Sequence, residues 1–132
     1  MSRENVEVVR EVWNVFERGG FPSELFDESA EWHTAEDLPD TEICRGHAAI
    51  QRMLATGWEN VVDPGLRAEE LLDADDRVLV RWRGWGTGRG SGVPIEWHEA
   101  HAYELRDGMV VTVREYRTWD EALADSGAPS NE

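Results

Sequence analysis

The sequence predicts an α+β fold. Amphipathic helical spacing is confined to the first half of the chain, and strand alternation dominates the second half. An Asp-Gly pair, the strongest short-range hairpin signal, lies between the last two alternating runs. Helices first and antiparallel strands later argue against an alternating βαβ arrangement.

The first helix is expected from about Arg3 to Arg18, with Val6, Val9, Trp13 and Phe16 at spacings of three and four. Gly19-Gly20 should end it. A short helical turn, Ser23 to Phe26, and a short strand, Ala30 to Thr34, follow. Ala35 to Arg45 reads as a polar loop carrying Glu36, Asp37, Asp40 and Glu42. A second helix opens at Gly46-His47 and runs to about Gly57, with Ile50, Met53 and Leu54 on one side. Asp63-Pro64-Gly65 reads as a turn. Strands are expected at Leu66 to Leu72, Arg77 to Trp85, Val93 to Leu105 and Met109 to Thr118. Gly84 to Gly92, with five glycines in nine residues, should be a flexible connection. Trp119 to Ala124 forms a closing turn. The expectation is one domain over residues 1–126 and a frayed tail over 127–132.

The 132 residues suit a single domain with one core. An apolar fraction of 40% with seven Trp argues against disorder. A net charge of −15, with arginine as the only strong cation, repels phosphate backbones and anionic lipid, so neither nucleic acid nor membrane is an expected partner. Cys44 is the only cysteine, so no internal disulfide can form. With no apolar leader and no long apolar stretch, a cytoplasmic protein is expected.

Strand alternation carries the chemistry. Val93, Ile95, Trp97, Glu99, His101, Tyr103 and Leu105 share one face of their strand, and that face is the apolar one. Glu99 and His101 nonetheless stand in its middle, where a charge is costly unless paired or open to a cavity. On the next strand Met109, Val111 and Val113 are followed on the same face by Glu115 and Arg117. Pairing about Asp107 sets Glu99 opposite Glu115 and His101 opposite Val113, with His101 and Glu115 diagonal. A histidine beside a carboxylate is held in one tautomer with raised basicity, as a general base requires. Two facing carboxylates push one pKa up and make a proton donor. The same three groups also fit a satisfied internal polar network without turnover.

Trp97-His98-Glu99-Ala100-His101-Ala102-Tyr103-Glu104-Leu105-Arg106-Asp107-Gly108, continuing to Val113-Arg114-Glu115-Tyr116-Arg117, resembles the SnoaL-like branch of the nuclear transport factor 2-like superfamily. The Arg45-Gly46-His47-Ala48-Ala49-Ile50 helix start and the order of elements agree, and the resemblance spans roughly Asn5 to Leu123. It implies a cone, a curved antiparallel sheet wrapped around the helices with a pocket at its open end, usually as a homodimer. Relatives include polyketide cyclases, ketosteroid isomerases, an epoxide hydrolase, a dehydratase and non-enzymatic binding domains, so fold alone does not decide activity. Glu115 matches the position of the cyclases' catalytic Asp. The isomerases' acidic donor falls at or beside His101, but their Asp base falls at His33 or Thr34 and their helix Tyr at Val12 or Trp13. That disfavours a steroid-type isomerase.

Trp13, Trp32, Trp58, Trp82 and Trp97 suit an apolar pocket for a cyclic ligand, with about two of the five in its wall and the rest in the core. His33, Tyr103, Val113 and Arg117 complete the expected lining. Trp85 and Trp119 fit a pocket mouth or a dimer contact. His98 and His101 face opposite ways on a strand, so no metal site is expected. The glycine run lacks a phosphate-loop lysine and no cofactor is implied. Two functions follow: a cofactor-independent acid/base enzyme (isomerase, cyclase or hydrolase) using His101, Glu115 and Glu99 on an apolar cyclic substrate, or a non-catalytic ligand-binding or dimerisation module.

Overall fold

The computed structural model describes residues 2–35 and 42–127. Helix α1 (Ser2–Glu17) buries Val9, Val12 and Trp13 and packs Val6 and Phe16 against the core. Its end is a Schellman motif. Gly19 takes φ +86, its N–H meets the Phe16 carbonyl at 2.9 Å, and the Gly20 N–H meets the Val15 carbonyl at 3.0 Å. A 3-10 turn (Ser23–Leu25) leads directly into β1 (Phe26–His33), a strand of 8 residues that starts four residues before the expected Ala30. Part of the anticipated polar loop is a strand, β2 (Ile43–Arg45), paired antiparallel with β1. The acidic stretch over residues 36–41 lies outside the described residues. Helix α2 (His47–Trp58) buries Ile50, and the Gly46 N–H ties its start to the Ala30 carbonyl at 2.9 Å.

Four long strands follow: β3 (Val61–Asp73), β4 (Val78–Gly88), β5 (Pro94–Arg106) and β6 (Met109–Tyr116). The six strands form one curved, open sheet in the order β2-β1-β6-β5-β4-β3. The sheet is mixed rather than wholly antiparallel, because β1 runs parallel to β6 with Trp32 level with Val113. This long-range contact is invisible to hairpin patterning.

The inner face of the sheet holds Trp32, Val78, Val80, Trp82, Tyr103 and Val113 against α1 and α2. The outer face is covered at one end by α3 (Trp119–Asp125), whose Ala122 and Leu123 pack on Leu79, Ala100 and Ala102. The Thr118 hydroxyl caps α3 by accepting the Glu121 N–H. Arg77 ties the same helix to β5, meeting Asp125 of α3 at 3.5 Å and Glu104 of β5 at 3.2 Å. Among the described residues no helix is long and apolar enough to cross a membrane. The frayed tail expected from Gly127 lies, beyond that residue, outside the described region.

Two glycine-based expectations change. Asp63-Pro64-Gly65 is not a turn between elements but a bulge inside β3, where Asp63 takes φ +52. The run from Gly84 is not a loop: β4 continues through Gly88, and only residues 89–93 connect it to β5. Gly84 and Gly86 are packing sites, since a Cβ at Gly84 would lie 2.7 Å from the Trp97 ring and one at Gly86 2.3 Å from Val61.

Candidate functional site

A cavity of about 630 Å³ opens between the inner face of the sheet and the two long helices. Its walls are aromatic. Trp13 and Phe16 come from α1, Trp58 from α2, Trp32 from β1, Trp82 from β4 and Trp97 from β5. All five tryptophans expected either in the wall or in the core therefore line it. They pack on one another, with Trp13 5.5 Å from Trp82 and Trp58 5.1 Å from Trp97 between ring centroids. Met53, Leu54, Leu66 and Phe21 complete the apolar surface. Sequence reading missed them as lining because helix and loop periodicity identifies a core-facing side without dividing packed core from cavity wall.

The polar part of the wall is Glu17, Gln51, Glu99, His101 and Glu115, and the last three come from the sheet. The β5–β6 register differs from the expectation. Asp107 (φ +54) and Gly108 (φ +77) form a two-residue turn with both φ angles positive, and a bulge intervenes between Glu104 and Leu105. The turn pairs Leu105 with Val110, which puts Val110 rather than Val111 in the core, and the bulge advances the register by one further residue, setting Tyr103 opposite Val113 and His101 directly opposite Glu115. The same register carried one step past Tyr116 brings Arg117, not Glu115, level with Glu99.

Glu115 is held by β1. The indole Nε1 of Trp32 donates to Glu115 Oε2 at 2.7 Å. Burial raises the Glu115 pKa, while this bond and one from the Ala35 backbone oppose the rise. Burial, reinforced by the Glu115 charge, pushes Glu99 up to about 7, and Arg117 pulls weakly against it. His101 is buried (4% exposed), with its ring between Trp13, Trp32 and Trp82. Its Nδ1 lies 3.1 Å from the Tyr103 hydroxyl. Burial lowers its pKa to about 3. The expected raised basicity is thus reversed: desolvation disfavours the imidazolium, and the Glu115 oxygen is taken by Trp32. His101 is a neutral hydrogen-bonding group with Nδ1 engaged by Tyr103, which leaves Nε2 for a ligand.

Four expected lining residues lie elsewhere. His33 follows Trp32 on β1 and so points to the opposite face, where its Nε2 meets Glu31 at 3.1 Å. Tyr103 and Val113 are wholly buried in the core beneath the cavity, one residue pair further along the strands than His101 and Glu115. Arg117 is exposed beyond the end of β6 and acts on Glu99 through its charge. Thr34, the other candidate for the isomerases' base position, bonds Glu42 instead. Trp85 and Trp119 are both outside this cavity, beneath Arg83 and Arg81 respectively. Among the described residues no group of three His, Cys, Asp or Glu could hold a metal ion.

An α+β cone with a cavity under its inner face is the architecture of NTF2-like proteins. One such protein from Burkholderia pseudomallei superposes with a TM-score of 0.74 at 17% identity over 92% of this chain and 95% of its own. The SnoaL-like domain model matches residues 9–113, and the chain belongs to the SnoaL-like family. Bal32a, from a soil-derived mobile gene cassette, is 26% identical, with a TM-score of 0.73 over 87% of this chain and 89% of its own. TerC, co-crystallised with polyporic acid, is 18% identical, with a TM-score of 0.72 over 95% of this chain and 99% of its own. No curated protein sequence matches the chain.

Proposed function

We propose that this SnoaL-like protein binds an apolar cyclic small molecule in the aromatic cavity and catalyses cofactor-independent proton transfer on it. The observation that carries the reading is a pair of carboxylates in one cavity with divided environments. Glu115 is held as an acceptor by the Trp32 N–H, and burial brings the Glu99 pKa to about 7, so that it can carry and release a proton near neutral pH. Such a division assigns base and acid. Glu115 would take a proton from a ring carbon, Glu99 would give one to a substrate heteroatom, and neutral His101 would orient that heteroatom through Nε2. The tryptophan walls exclude water and hold the ring in place. A homodimer belongs to the same reading, supported by the exposed Val93 and Ile95 at the uncovered end of the sheet. Sedimentation would decide it.

Deuterium exchange into tetralone, a fused-ring ketone, tests the chemistry. The wild-type protein should speed exchange beside the carbonyl, and Glu115→Gln should slow it by at least ~100-fold. Saturable tetralone binding, read by tryptophan fluorescence, with no faster exchange would replace the enzyme with a binding module. No binding of fused-ring compounds at all would remove the pocket reading.

A further inference from the structure

The charge of the cavity wall narrows the ligand class beyond shape. Among the described residues the wall carries the carboxylates Glu17, Glu99 and Glu115 and no Arg or Lys. Its remaining surface is dominated by indole and phenyl rings, whose faces are electronegative and attract organic cations. The chain as a whole bears a charge of −15 and draws cations toward it.

We propose that the natural ligand of this cavity is a cyclic organic amine, seated with its positive nitrogen against Glu99 and the surrounding tryptophan rings. This rests on the reading of the cavity as a ligand site and names the heteroatom that Glu99 serves. Trp82 is directly opposite Glu99 on β4, and Trp97 precedes it on the same face of β5. The charged or titratable groups around Glu99 are Glu115 and Arg117 from the β6 side, His101 on its own strand and Glu17 on α1; α2 presents only neutral Gln51. Arg117 is exposed and outside the wall, and Glu17 accepts the Ala68 N–H at 3.0 Å. Among the described residues, Glu99 is therefore the half-buried wall carboxylate without a strong fixed partner. A neutral amine entering the cavity takes the Glu99 proton: the O–H bond breaks, the nitrogen lone pair forms the new N–H bond, and an ammonium–carboxylate pair remains. An anionic ligand meets three carboxylates and is rejected.

Calorimetric titration of the full chain with three probes decides the matter: naphthylmethyl-trimethylammonium, naphthylmethanol and naphthylacetate. At about pH 8 the cation should bind at least ~10-fold more tightly than the alcohol, and the acetate weakest. That preference should shrink below ~3-fold at about pH 5.5, where Glu99 is protonated. At about pH 7, heats in two buffers of different ionisation enthalpy should show protons released by the cation and not by the alcohol. Glu99→Gln should abolish the preference, with an unchanged circular dichroism spectrum and a cooperative urea melt showing that the variant is folded. Alcohol or acetate binding as tightly as the cation in the wild type overturns the amine assignment and leaves the pocket reading intact. A preference that is independent of pH overturns the role of Glu99. Binding of none of the three overturns both the amine assignment and the pocket reading.

Discussion

Trp32 and Glu115, 83 residues apart in sequence, are joined by a 2.7 Å hydrogen bond from the indole nitrogen to the carboxylate. The bond exists because β1 lies parallel to β6, which brings Trp32 level with Val113 and within reach of the next inward residue. It fixes the one acidic oxygen that β6 offers to the cavity and favours its ionised form.

Trp32→Phe should therefore move the Glu115 pKa further up, since a donor to the charged form is lost. Carbon-detected NMR titration of the glutamate carboxyls reads this directly. The lost bond and lost ring volume together should destabilise the fold by ~2–4 kcal/mol in urea melts. An unchanged Glu115 titration would remove Trp32 from the site's electrostatics.

Glu99 makes stability pH-dependent in a definite direction. Its folded pKa, about 7, lies above its ordinary value of 4.5, so folding favours the proton. That stabilising contribution is complete below about pH 4.5 and is lost as pH rises through about 7. His101 acts oppositely: its folded pKa of about 3 lies below the usual 6.5, so its contribution is present above 6.5 and lost as pH falls toward 3. The two offset between these ranges, and the difference between wild type and Glu99→Gln isolates Glu99. The variant should be more stable at about pH 8, by up to ~3 kcal/mol, with the gap closing by about pH 4.5. A gap that does not vary with pH would contradict the burial-driven shift.

Tyr103→Phe should free Nδ1 of His101. The cost should be ~1–2 kcal/mol, the usual penalty for orphaning a buried polar partner. Nitrogen NMR of the imidazole should show the tautomer balance change while the ring stays neutral at about pH 6. Unaltered imidazole shifts would mean that Tyr103 does not set the tautomer.

Gly84→Ala tests the wall. The added methyl would lie 2.7 Å from Trp97 and 3.0 Å from Trp82, so both rings must move. A loss of ~1–3 kcal/mol is expected. Naphthyl probes should bind more weakly, because the displaced rings are the ones that line the cavity. Unchanged stability and affinity would show that the wall yields freely.

Several features were legible in the chain itself. The apolar spacing of Val6, Val9, Trp13 and Phe16 marked α1, and Gly19-Gly20 its end. The Asp107-Gly108 pair marked the last hairpin. Alternation placed Glu99, His101 and Glu115 on the inner face, and the structure brings all three to one cavity. Register was less legible. The two-residue turn pairs Leu105 with Val110, exchanging Val111 for Val110 in the core, and a bulge at Val111 adds a second step, so that Glu115 moves from opposite Glu99 to opposite His101. Such a bulge is set by twist and packing of the whole sheet rather than by local residue preference. The glycines of β4 misled for a related reason. Gly84 and Gly86 read as loop formers because the rings and side chains that crowd them, Trp97 and Val61, belong to neighbouring strands.

Chain-local pattern was sufficient for most of the residues that face inward and for where most elements begin and end, because side-chain direction follows from backbone geometry one residue at a time. The character of the site was not contained in that pattern. That His101 is neutral, that Glu99 holds its proton near pH 7, and that Glu115 leans on an indole from a parallel strand all depend on desolvation and partners supplied by distant segments. Electrostatic free energies of this size arise only when folding removes water around the charge, so they belong to the assembled molecule and to no stretch of its sequence.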